Sequence, residues 1–111
     1  MEKHFLLDRI SKLARAAAEA SLNGENREVE RLVRELLSAI HSLFTTTDLQ
    51  AGDFANDTAS DFREWCERIH QTAAKAQAAL KIDREDICLH YESQLKALFQ
   101  PKEFFPREFI N

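Results

Sequence analysis

The sequence predicts an all-α protein: an antiparallel four-helix bundle in up-down-up-down order with an aromatic-rich C-terminal arm. Three observations predict it. Apolar residues recur at spacings of three and four along four separate stretches, the period of a helix face. The chain of 111 residues holds only two glycines and two prolines, the residues that long loops and β-turns require. Short turns within each helix pair make sequence neighbours antiparallel neighbours in space.

The first helix is expected over about 3–22, where Leu6, Ile10, Leu13, Ala17 and Ala20 share a face. Asn23 and Gly24 stop it, because both tolerate the left-handed conformation that closes a helix. The second runs over about 25–44 on a broad stripe of Val29, Leu32, Val33, Leu36, Ile40, Leu43 and Phe44. A run of threonines, Thr45 to Thr47, then breaks the pattern, and Thr47 with Gln50 could cap a short extra turn. The third helix is expected over about 58–81, capped by Thr58 with Asp61, on a face of Phe62, Trp65, Cys66, Ile69, Ala73, Ala76 and Leu80. The fourth runs over about 83–99, starting at Asp83 with Asp86 three residues on, and carries Ile87, Cys88, Tyr91, Leu95, Leu98 and Phe99. Pro101 ends it.

Residues 1–100 thus form one helical domain and 101–111 an arm rich in Phe and Pro. The first hairpin resembles a single tetratricopeptide unit, but the second does not repeat it, and an array needs about three units. In up-down-up-down order, the starts of helices one and three lie beside the ends of helices two and four. Phe5, Phe44, Phe62, Trp65 and Phe99 would gather there. Alanines 14, 16–18 and 20 of the first helix and 73, 74, 76, 78 and 79 of the third would gather at the opposite end. The bundle should then be thin at the alanine end and wide at the aromatic end.

Composition narrows the functional classes. Hydrophobic residues make up 44% and charged residues 31%, an ordinary balance for a folded soluble chain. No apolar run approaches the roughly 20 residues of a membrane span, and Met1 to Ile10 lacks a signal-peptide core, so a cytoplasmic location is expected. The net charge of −4 disfavours nucleic acid, whose phosphates call for clustered Lys and Arg. Cys66 and Cys88 fall in different helices without CxxC spacing and read as buried, reduced thiols.

No cofactor or metal is expected. Glu67 and His70 match one Glu-x-x-His step of di-iron bundles, but no second copy follows. Cys66 and His70 stand four residues apart, yet Trp65 and Ile69 flank the thiol and predict inert burial. The segment 45–61 has no Lys or Arg but four aspartates, Asp48, Asp53, Asp57 and Asp61. They are too widely spaced for a calcium loop and read as helix caps, with Asp48, Asp53 and Asp57 available to a basic partner.

One motif does point to catalysis. Arg84-Glu85-Asp86-Ile87-Cys88-Leu89-His90 places an arginine and a histidine with five residues between them. These seven residues resemble the Arg–His motif of HEPN-type helical domains, many of which are ribonucleases. That resemblance implies Arg84 as stabiliser of phosphate charge and His90 as general acid or base. Arg63 to His70 and Arg34 to His41 fit the same loose pattern. Within one helix, Arg84 and His90 are about 240° apart in rotation and do not share a face.

The arm carries the other functional expectation. Four of the eight phenylalanines lie in the last thirteen residues. Phe104, Phe105, Phe109 and Ile110 are expected either to cover the wide end of the bundle or to contact a partner. The main expectation is a non-catalytic, protein-binding bundle: an adaptor, a secretion chaperone, an immunity or antitoxin-type inhibitor, or a complex subunit. Its partner would be another protein or a second copy of the chain, met by those four residues and by Asp48, Asp53 and Asp57.

Overall fold

A computed structural model describes residues 2–46 and 61–99. They form four helices: α1 (Glu2–Leu22), α2 (Asn26–Thr46), α3 (Phe62–Lys81) and α4 (Glu85–Leu98). No strand occurs among the described residues. The expected all-helical bundle is therefore present. The arm, residues 101–111, lies outside the described residues, as do Asp48, Asp53, Asp57 and the expected extra turn at Thr47.

Two turns of the same kind close α1 and α3. After α1, the Gly24 N–H donates to the Ser21 carbonyl at 3.2 Å and the Glu25 N–H to the Ala20 carbonyl at 3.0 Å. After α3, the Asp83 N–H donates to Leu80 at 3.1 Å and the Arg84 N–H to Ala79 at 2.9 Å. Both are Schellman closures, which place one residue in the left-handed region. Gly24 occupies it at φ 71° without a Cβ penalty, whereas Asp83 occupies it at φ 57° with one. Asp83→Gly is expected to stabilise the protein by about 0.5–1 kcal/mol, read as a higher urea midpoint.

These turns correct two helix starts. Asp83 ends α3 rather than capping α4, whose cap position is Arg84 without a side-chain hydrogen bond. Glu85 and Asp86 in its first turn meet the helix dipole instead. The helix expected from Thr58 begins at Phe62: Asp61 is extended and its carboxylate accepts from the Glu64 N–H at 2.8 Å. At the other boundary, α2 runs past Phe44 because the Thr45 hydroxyl donates to the Ser42 carbonyl at 2.7 Å.

The expected stripes supply most of the core, and Leu7 and Leu37, which lie outside them, complete it. Leu7, Ile10, Leu36, Leu37, Ile40, Leu43, Trp65, Ile69, Leu95 and Leu98 are fully buried. Leu13, Phe44, Phe62, Leu80, Ile87, Tyr91 and Phe99 pack half-buried at its margin. Exposed pairs such as Arg34–Glu30 and Arg68–Glu64 dress the outer faces and add little.

The order of packing differs from the expected one. α1 lies against both α2 and α3, α3 against α4, and α2 meets α4 only lightly. Up-down-up-down order would run α1 and α3 in the same sense. Their contacts run oppositely: Asp8 meets Gln77, Ser11 meets His70, and Ala18 and Leu22 share a cleft with Arg63 and Cys66. This register places the alanine-rich stretch of α1 near the start of α3 and that of α3 near the start of α1, at opposite ends of the interface. The two alanine stretches do not face each other, so the wedge expected from alanine meeting alanine does not arise there.

Of the residues expected to gather, four form two ring pairs, and Phe5 joins neither. Phe44 and Phe99 meet edge to face at 5.6 Å, and Phe62 lies 6.0 Å from Trp65. The Trp65 indole N–H donates to the Leu98 carbonyl at 2.7 Å, which ties the start of α3 to the end of α4. Lys96 sits 5.6 Å over the Phe44 ring. Phe5, in contrast, is 64% exposed.

Candidate functional site

Three places combine polar chemistry with shape, and two of them hold helices together. The first is a buried ion pair. Glu92 follows Cys88 by one turn on the apolar stripe of α4, so its carboxylate enters the core and is fully buried. Its Oε1 accepts from Lys3 Nζ at 3.0 Å and from Cys88 Sγ at 3.2 Å. Glu92 Oε2 and the nearby helix-start atom His4 Nδ1 are buried with no hydrogen-bond partner among the described residues. Burial, then the Glu92 contact, pushes the Cys88 thiol up to about 12. Sequence reasoning missed Glu92. The available signal was a carboxylate at the stripe position between Cys88 and Leu95.

The second is a clasp between α1 and α3. His70 Nδ1 lies 2.9 Å from the Ser11 carbonyl and 2.8 Å from Ser11 Oγ. A carbonyl only accepts, so Nδ1 carries the proton. The Ser11 hydroxyl then donates to the His70 carbonyl at 3.3 Å. This reciprocal exchange commits the serine proton and the imidazole N–H to backbone, which is a fastening rather than a nucleophile with its base.

Beside that clasp, a cleft of about 420 Å³ runs between α1 and α3. Ala14, Ala18 and Cys66 line it, with Arg15, Arg63, Glu67 and His70 around them and Leu22 at its edge. Arg63, Glu67 and His70 stand at i, i+4 and i+7, one face of α3. Burial pushes the Cys66 thiol from 9.0 up to about 12. The unfolded thiol loses its proton near the lower value, while the folded one keeps it, so this contribution to stability is complete below about pH 9 and lost as pH rises toward 12. Unfolding free energy should fall by up to about 1.4 kcal/mol per pH unit in that window from this group. Urea titrations of the wild type and Cys66→Val should differ in slope by that amount.

The third place is a groove of about 390 Å³ between α1 and α2. Phe5, Leu6 and Arg9 form one wall, and Arg34, Glu35, Ser38, Ala39 and Ser42 the other.

The sequence-derived site residues divide sharply. Phe104, Phe105, Phe109, Ile110, Asp48, Asp53 and Asp57 lie outside the described residues. Arg84 is exposed and its guanidinium engages Asp86 through Nε at 3.1 Å and Nη2 at 3.0 Å. That hydrogen bond holds the Asp86 carboxyl below the usual carboxylate range. His90 is exposed, with its Nε2 3.1 Å from Gln94 Nε2 and its ring 5.4 Å from Tyr91. Among the described residues, no hydrogen bond joins Arg84 to His90. Arg63 and His70 do share a cleft, which the helix period explains and the Arg84 pair lacks. No group of three or more His, Cys, Asp or Glu suited to a metal occurs among the described residues.

Comparison with protein-family models, curated proteins and solved structures finds no match. No helix among the described residues is long and apolar enough to cross a membrane.

Proposed function

We propose that this protein is a non-catalytic binding bundle, an adaptor, secretion chaperone, immunity-type inhibitor or complex subunit, that docks another protein or a second copy of itself. The observation that carries this reading is Phe5. A phenylalanine exposed to 64% beside a groove is a poor use of an apolar side chain in an isolated monomer and a good anchor at an interface. Arg9 stands beside it and would favour an acidic group on the partner, while Arg34 on the other wall is paired with Glu30. The segment 101–111, with Phe104, Phe105, Phe109 and Ile110, would supply a second apolar contact, and Asp48, Asp53 and Asp57 an acidic rim.

Affinity capture from the native host tests the reading on the full chain, on Phe5→Ser and on a chain lacking residues 102–111. Loss of the same captured protein in either variant, with the thermal midpoint unchanged for Phe5→Ser, is the expected result. Capture by both variants at the wild-type level would overturn it. The alternative, a HEPN-like ribonuclease or an inactive relative, would need Arg84 released from Asp86 and a dimer interface to bring it to His90, since the two lie on different sides of α4.

A further inference from the structure

We infer that the cleft between α1 and α3 is a binding site for a small amphipathic monocarboxylate, a single carboxylate head on a short apolar chain. Its volume of about 420 Å³ lies within the range of small-molecule pockets, about 300–1,000 Å³. The lining divides into two halves of different chemistry. Ala18 and the 61% exposed Leu22 give it an apolar surface, backed by the fully buried Ala14 and Cys66 beneath. Arg15 and Arg63 bring two guanidiniums to the same cleft.

Those guanidiniums are open to a ligand. Arg15 has only a loose contact with Glu19 at 3.8 Å. Arg63 has no ion pair among the described residues. The facing carboxylate, Glu67, already accepts from the Gln71 amide at 3.3 Å. Two cations against one carboxylate suit a singly charged head and disfavour a polyphosphate. Arg63 is the second residue of α3, so the positive end of that helix adds to the attraction. A planar guanidinium also matches a carboxylate with two parallel hydrogen bonds.

His70 makes the site rigid. Its Nδ1 and its carbonyl are both tied to Ser11, so the imidazole that lines the cleft is fixed between two helices. The site needs no rearrangement of α1 against α3 to form, which lowers the ordering cost of binding.

The test is titration of the isotope-labelled full chain with octanoate, acetate and 1-hexanol, following backbone amide shifts. Octanoate should saturate at about 1 mM and move Ala14, Ala18, Cys66 and His70. Acetate, lacking the chain, should not saturate. Hexanol, lacking the head, should bind at least about tenfold more weakly. Arg63→Gln changes an exposed side chain and should raise the octanoate Kd about tenfold while leaving the amide spectrum folded. Ala18→Phe should fill the cleft and abolish saturation. Equal affinity for hexanol and octanoate, an unchanged Kd in Arg63→Gln, or shifts confined to residues elsewhere would each overturn the inference.

Discussion

Replacing Lys3 by alanine is expected to destabilise the protein by about 3–5 kcal/mol, the cost of leaving a buried charge uncompensated. The magnitude follows from asymmetry. Glu92 is fully buried and its Oε1 depends on the ammonium 3.0 Å away, with only the weak Cys88 Sγ–H donor beside it. Its Oε2 has no partner among the described residues, so the carboxylate has no reserve of hydrogen bonds to fall back on. Removing both charges is a different experiment. Lys3→Met with Glu92→Leu should be close to neutral or stabilising, because apolar groups of similar size carry no charge-desolvation cost on burial. Urea unfolding of the single and double variants measures both. A single-variant loss below about 1 kcal/mol would show that water reaches Glu92. The wild-type pair should also be insensitive to salt, unlike the exposed pairs along α2.

Trp65→Ala is expected to cost about 3–5 kcal/mol as well, by a different route. Trp65 is the largest fully buried side chain, and its removal leaves a cavity where α3 begins. It also strips the Leu98 carbonyl of a buried donor at 2.7 Å. Trp65→Phe separates the two effects. It keeps most of the apolar volume, so its cost should fall to about 1–3 kcal/mol, the penalty of an unsatisfied buried acceptor plus a smaller void. Circular dichroism is the suitable probe, since the chain has one tryptophan and both variants remove it. Equal losses in the two variants would mean that the hydrogen bond, not the packing, holds the end of α4.

Where the sequence was legible, the reason was local. Apolar spacing identified all four helices, and Asn23-Gly24 marked the end of α1 because the left-handed closure is written in residue type. Asp83 misled for the same reason in reverse: aspartate is a common cap, and its service in a glycine-like position shows only in φ. The two hairpin turns share one backbone form although their sequences differ, so no sequence repeat announced it.

The candidate site was less legible. Arg84 and His90 stood out by type and spacing, but Asp86, two residues from Arg84, takes the guanidinium. Arg63 and His70 matched the same loose pattern, and the cleft they share depends on α1 lying across them. Ser11, Lys3 and Glu92 carried no signal beyond their unusual polarity on apolar faces. Each gains meaning only from a partner 59 or more residues away, as Ser11 does from His70.

By itself, then, the sequence determined the all-helical class, the four buried stripes and the first turn, because these follow from periodicity and from the conformational preference of single residues. Tertiary structure decided that α1 is the shared neighbour of α2 and α3, and that α3 runs against it rather than with it. The physical reason is complementarity. Alanine stripes can pack on other alanines or on large side chains, at different helix separations, so one-dimensional pattern cannot choose the sense. The Ser11–His70 clasp is the polar contact between α1 and α3 that only the antiparallel register brings together.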